Sequence, residues 1–146
     1  IHDLGCRTLV DATGAWLGRD PRVTRACAEA SGLNIVMATG NYAADRNRHL
    51  PPWLHSDTAE ALAERWVAEF RDGIEGTGIR PGFIKLSFDG GPLSEVERKM
   101  VRAAAIATLA TGMTVGIHTG APGAAQSAAE QQAILTRAGV HPSARI

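Results

Sequence analysis

Two side chains in this 146-residue sequence stand where a buried strand has little use for them. Lys85 lies inside Phe83-Ile84-Lys85-Leu86, among residues suited to burial. A buried ammonium group is costly unless it is paired or gives up its proton. Lys85 therefore admits several readings: an edge-strand lysine facing water, a partner of a distant carboxylate, a Schiff-base amine, or a metal-bridging lysine. His118 closes Val115-Gly116-Ile117-His118. A single histidine there is as readily structural as functional. Both residues, however, fall near the ends of successive strands, and neighbouring strand ends of an α/β fold converge on one mouth.

Other residues carry weaker signals. Tyr42 follows a strand in Ala38-Thr39-Gly40-Asn41-Tyr42 and by itself is an ordinary loop aromatic. Asp11 and Asp89 are near strand ends, where acidic groups commonly cap or pair. His49, His55 and His141 read as solvated, and Trp66 as core. Gly90-Gly91 and the stretch from Gly120 to Gly123 have the backbone to cradle a phosphate, but neither matches a P-loop or a dinucleotide fingerprint. Cys6 and Cys27 read as two small buried thiols, with neither the count nor the spacing of a metal site or disulfide framework. They favour a reducing compartment, and a cytoplasmic location is the expectation.

The elements that would position these residues alternate strand and helix four times. Strands are expected at residues 7–13, 34–39, 82–88 and 113–118. The first helix opens at Asp20-Pro21, an Asp cap with Pro at the first helical position. Its apolar face would be Val23, Ala26, Cys27 and Ala30, and Gly32 would end it. A long loop runs from Gly40 to about Ser56, a length common in functional loops. Asp57 with Glu60 resembles a capping box ahead of Leu62, Trp66 and Phe70 at helical spacing. Ser94 with Glu97 opens a third helix carrying Met100, Ala104 and Leu109. Ser127 with Glu130 would cap the last, with Ile134, Leu135 and Ala138 inward.

Apolar strands alternating with amphipathic helices imply a parallel sheet covered by helices. Helix-to-strand links are short and glycine-led, whereas strand-to-helix links are longer and more polar. That asymmetry places ligands at the C-terminal ends of the strands. The formal charge is zero and the pI is about 7.1, so nucleic acid and acidic membrane are poor partners. No apolar run approaches the ~20 residues of a membrane span, and no signal peptide is visible. His2-Asp3-Leu4-Gly5 reads as the last turn of a helix, and Pro142 to Ile146 as the approach to a strand. Four units in 146 residues are half of a (β/α)₈ barrel. The expectation is one barrel segment, residues 1–146, incomplete at both ends. A freestanding nucleotide-binding domain would need a glycine fingerprint after the first strand, which Gly14-Ala15-Trp16-Leu17-Gly18 does not supply.

Several strings, in order, resemble the phosphotriesterase family of the amidohydrolase superfamily: Val10-Asp11, Gly18-Arg19-Asp20, Ala38-Thr39-Gly40, the run from Gly73 to Arg80, Gly82 to Lys85, Ala107 to Gly112, His118-Thr119 and Glu130-Gln131-Gln132. The resemblance covers nearly the whole chain and implies an α/β partial TIM barrel comprising barrel strands two to five. It further implies a metal-dependent hydrolase in which two divalent ions, of the zinc type, share a hydroxide that attacks a lactone or phosphotriester. Lys85 matches the carboxylated lysine that bridges the metals, His118 a metal-ligating histidine, and Tyr42 an aromatic residue lining the substrate pocket. Tyrosine at this place resembles the lactonase-type members. A plain lysine, cationic below a pKa of ~10, cannot bridge two cations, whereas its carbamate is an anion with two oxygens. The implied partners are a small-molecule ester and a second subunit in a homodimer. The small, alanine-rich stretch from Gly120 to Ser127 departs from the family pattern. The family's paired first-strand histidines, its sixth-strand histidine and its eighth-strand aspartate have no counterpart here, so this segment alone is expected to be inactive. A non-catalytic ligand-binding member of the same family is the alternative.

Overall fold

A computed structural model describes residues 1–146. Four strands, β1 (Thr8–Asp11), β2 (Asn34–Thr39), β3 (Phe83–Phe88) and β4 (Thr114–Thr119), lie parallel in the order β1-β2-β3-β4. Helices α1 (Pro21–Ser31), α3 (Ala59–Asp72) and α4 (Glu95–Thr111) connect them, a short helix α2 (Pro52–Ser56) precedes α3, and α5 (Ala124–Arg137) follows β4. Consecutive parallel strands with a helical crossover at each step curl into a half-barrel, a partial TIM barrel. Arg145 forms a parallel bridge to Val115 beside β4.

Strand periodicity divides the sheet into two faces. On β3, Ile84, Leu86 and Phe88 are fully buried in a core shared with Leu62 and Trp66 of α3 and Met100 and Ala104 of α4. The alternate residues Phe83, Lys85 and Ser87 occupy the other, concave face. In-register pairing joins Lys85 to Gly116 and Ser87 to His118. The hydrophobic contrast between the faces fixes this register, because a one-residue slip would turn Ile84 and Leu86 outward.

Local signals set most helix ends. Asp20 Oδ1 accepts hydrogen bonds from the Arg22 and Val23 amides at 2.8 and 3.2 Å. Ser94 and Glu97 form a reciprocal capping box. Two expected caps differ. Thr58, not Asp57, caps α3 by accepting from the Ala61 amide, while Asp57 pairs with Arg65 at 2.8 Å. Helix α5 begins at Ala124, so Ser127 lies one turn inside, buried, and accepts from Gln131 Nε2. Glu130 ties α5 to α4 instead, accepting from the Leu93 amide and pairing with Arg98.

The expected face of α1 is also corrected. Val23, Ala26, Cys27 and Ala30 are all exposed, and Pro21, Thr24 and Ala28 turn towards Ile35 and Met37 of β2. Small residues give that helix little apolar contrast, so the sheet selects a different stripe. Leu109 is exposed as well. Neither cysteine is buried: Cys6 is half-buried, Cys27 is exposed, and both are free.

Candidate functional site

The concave face ends, at the C-terminal edge of the strands, in an open hollow of about 600 Å³ lined by Ala12, Thr13, Leu17, Tyr42, Lys85 and His118. The three residues singled out by sequence therefore share one wall. Strand geometry accounts for this. Lys85 and His118 lie on the same face of adjacent strands, two register positions apart. Tyr42, just beyond β2, forms a parallel bridge with Ser87, which is itself the register partner of His118.

Lys85 is half-buried, and its ammonium group donates to the Leu86 carbonyl at 2.5 Å. Desolvation holds its pKa below the ordinary lysine value. This favours the neutral amine, the form that reacts with electrophiles such as CO₂. His118 is exposed to the hollow. No group of three or more His, Cys, Asp or Glu side chains is placed to hold a metal ion. Lys85 and His118 thus offer two converging donors, which is fewer than a closed metal site requires.

The end of β2 is brought close to Lys85 by a glycine. A Cβ on Gly40, whose φ is +104°, would lie 2.2 Å from the Lys85 carbonyl oxygen. Beyond it the chain alternates. Asn41 turns towards α3 and accepts from Trp66 Nε1 at 3.3 Å, and Tyr42 turns to the hollow. The Tyr42 ring meets the His49 ring edge-on, with centroids 5.8 Å apart.

Two further groups support this wall. Arg19, with its side chain almost fully buried, grips Glu69 of α3 with two hydrogen bonds at 2.6 and 2.9 Å and donates to the Ala38 carbonyl. Glu69 also accepts from Thr39 Oγ1 at 2.7 Å. This bidentate, charge-assisted cluster locks the β1–α1 loop, the end of β2 and α3 together behind Gly40. Asp89, past the end of β3, accepts from the Asp45 and Arg46 amides at 3.0 and 2.8 Å. Those amides hold its carboxyl below the usual range, Arg46 contributing most.

Other candidates fall away from the hollow's chemistry. Asp11 accepts from the amide and hydroxyl of Thr13 in a local turn. Gly90, Gly91 and Gly123 pack on one another, and the Gly91 amide donates to the Gly123 carbonyl at 3.1 Å; none of the three lines the hollow. His55 and His141 are exposed, whereas His49 is partly buried on Tyr42. A separate cavity of about 500 Å³, walled by Trp16, Trp53, Trp66 and the Arg19–Glu69 pair, contains neither Lys85 nor His118.

Comparison with known proteins places the same arrangement in a family. The sequence profile described as "Phosphotriesterase family" matches residues 1–146. The aryldialkylphosphatase of Saccharolobus solfataricus is 34% identical over 138 residues, covering 94% of this chain and 42% of that protein. A phosphotriesterase homology protein of Mycobacterium tuberculosis is 35% identical over 141 residues, covering 93% of this chain and 42% of its own. The N-acetyltaurine hydrolase of Xenopus tropicalis is 33% identical over 116 residues, covering 80% and 32%. The chain spans 42% of the length of the first two relatives. With the profile matching from end to end and the half-barrel carrying its lysine and histidine on one mouth, the chain belongs to the phosphotriesterase family.

Proposed function

We propose that the complete protein is a metal-dependent hydrolase of ester bonds, with Lys85 and His118 among its metal ligands and Tyr42 on the substrate wall. The observation that carries this reading is the convergence of Lys85, His118 and Tyr42 on one open hollow at the C-terminal edge of the sheet. The donor set fits two divalent ions of the zinc type in part. A half-buried lysine of lowered pKa is suited to carboxylation, and an exposed imidazole to ligation. The remaining ligands would come from outside residues 1–146, as would the strands covering Leu9 and Val10, which are exposed on β1.

When bound, such ions supply a water of lowered pKa and polarise the oxygen of the scissile bond. The residues of this chain position those events. Burial keeps the Lys85 nitrogen available for carboxylation, which converts a cation into an anionic ligand. The Gly40 approach fixes the Lys85 backbone, and Tyr42 presents an aromatic edge with a hydroxyl to a small ester. Both a lactone carbonyl and a phosphotriester fit this scheme, because each develops negative charge on one oxygen. Relatives named N-acetyltaurine hydrolase extend the bonds to be assayed to an amide.

The test is metal analysis of the purified complete protein, combined with hydrolysis of a γ-lactone, an aryl dialkyl phosphate and N-acetyltaurine. Two metal equivalents and turnover of at least one ester are expected. Lys85→Ala should lose metal and lower kcat/KM by at least about 100-fold, the upper range for loss of a mere supporting group. Ligand binding without turnover by a metal-free protein would instead identify a non-catalytic member.

A further inference from the structure

We infer that Asp89 is a positioning residue that sets Tyr42 in the hollow, through a strained turn it holds closed; this rests on the substrate-wall role proposed for Tyr42. Asp45, Arg46 and Asn47 have φ of +61°, +58° and +62°. Three consecutive non-glycine residues in the left-handed region are rare and strained. Asp and Asn visit that region readily, whereas Arg46 between them adopts it at a steric cost. The turn is held at this point from outside. The Asp89 carboxylate receives the Asp45 and Arg46 amides, the latter at 2.8 Å. A second staple, the Ala43 amide donating to the Ser87 carbonyl at 2.8 Å, fixes the segment two residues earlier on the same strand end.

The turn faces Tyr42 through one further contact. Asp45 Oδ2 lies 3.6 Å from His49 Nε2, and the His49 ring meets the Tyr42 ring edge-on. The order is Asp89, the left-handed turn, the Asp45 carboxylate, His49 and Tyr42. The Asp89 carboxylate hydrogen-bonds to the turn and to no residue proposed as a metal ligand. Its loss should therefore loosen substrate binding at Tyr42 and leave the metals in place.

The experiment uses the complete protein and compares the wild type with Asp89→Ala, Asp89→Asn and the double variant Asp89→Ala, Arg46→Gly. Glycine adopts the left-handed turn without steric cost. Expected for Asp89→Ala on a γ-lactone or an aryl dialkyl phosphate are a KM raised roughly 10-fold, a kcat within about 3-fold and an unchanged metal content. Hydrogen exchange at residues 42–49 should quicken. The asparagine variant, which keeps one acceptor, should fall between, and the double variant should return KM to within about 3-fold of the wild type. Unchanged KM and exchange in the alanine or asparagine variant would overturn the inference. So would a fall in kcat together with metal loss at constant KM, or failure of the glycine to rescue. If the wild type hydrolyses none of the substrates, the functional reading fails. Exchange at residues 42–49 then decides independently whether Asp89 holds the turn.

Discussion

Lys85 and His118 were legible because their chemistry conflicts with their surroundings: a charge and an imidazole stand in strands otherwise suited to burial. Arg19, Glu69 and Asp89 gave no such signal. Asp89 meets Asp45 across 44 residues and Arg19 meets Glu69 across 50, distances at which local spacing predicts nothing. Their roles yield two predictions. Glu69→Ala leaves the Arg19 guanidinium buried without its partner, a change expected to cost about 3 kcal/mol. Glu69 is itself partly exposed, which places the cost at the lower end for a buried pair. Urea unfolding of the complete protein would measure it, and a loss below about 1 kcal/mol would show that Arg19 finds another acceptor. The second prediction concerns pH. The Asp89 carboxyl is held below its ordinary value, so its contribution is fully present above the unfolded pKa, about 3.9. It is lost as pH falls through the lower folded value. Protection of the Asp45 and Arg46 amides should be constant down to roughly pH 5 and fall below roughly pH 4. Protection already lost well above roughly pH 5 would contradict this assignment.

The elements were read from two kinds of signal with unequal success. Strand runs are strongly apolar and bounded by glycine, so β2 coincides with its expected limits and β3 and β4 differ by one residue. Caps depend on which of several polar neighbours wins a single amide. At α3 Asp57 was drawn away by Arg65, leaving Thr58 as the cap, and at α5 Gly123 began the helix a turn before Ser127. The face of α1 was misread because alanine and valine mark no single stripe there. The junction of β2 and β3 is where an element most directly shapes the site. Gly40→Ala would force a left-handed alanine and set its Cβ against the Lys85 carbonyl. About 3 kcal/mol of destabilisation is expected, together with weakened metal retention, because the strand carrying Lys85 must shift. Calorimetry with metal analysis would check both. Wild-type stability in this variant would mean that the close approach is not needed.

At the scale of the molecule, the alternation of strand and helix specified a parallel, helix-covered sheet, and the structure curls that sheet into a half-barrel. No helix is long and apolar enough to cross a membrane. The concave face remains open, with Val10 exposed on β1 and two converging donors at the mouth. An interior so exposed is consistent with a barrel closed by further strands, and the relatives, of which this chain spans 42%, have the length for them. The bridged metal centre is therefore a property proposed for the complete protein. The most direct measurement is an anomalous-scattering map of the complete protein, crystallised with zinc, around Lys85 and His118. The account predicts two peaks roughly 3.5–4 Å apart, with added density on the Lys85 amine and His118 bound to one ion. An unmodified Lys85 beside an empty mouth, in a crystal where zinc is bound elsewhere, would contradict it.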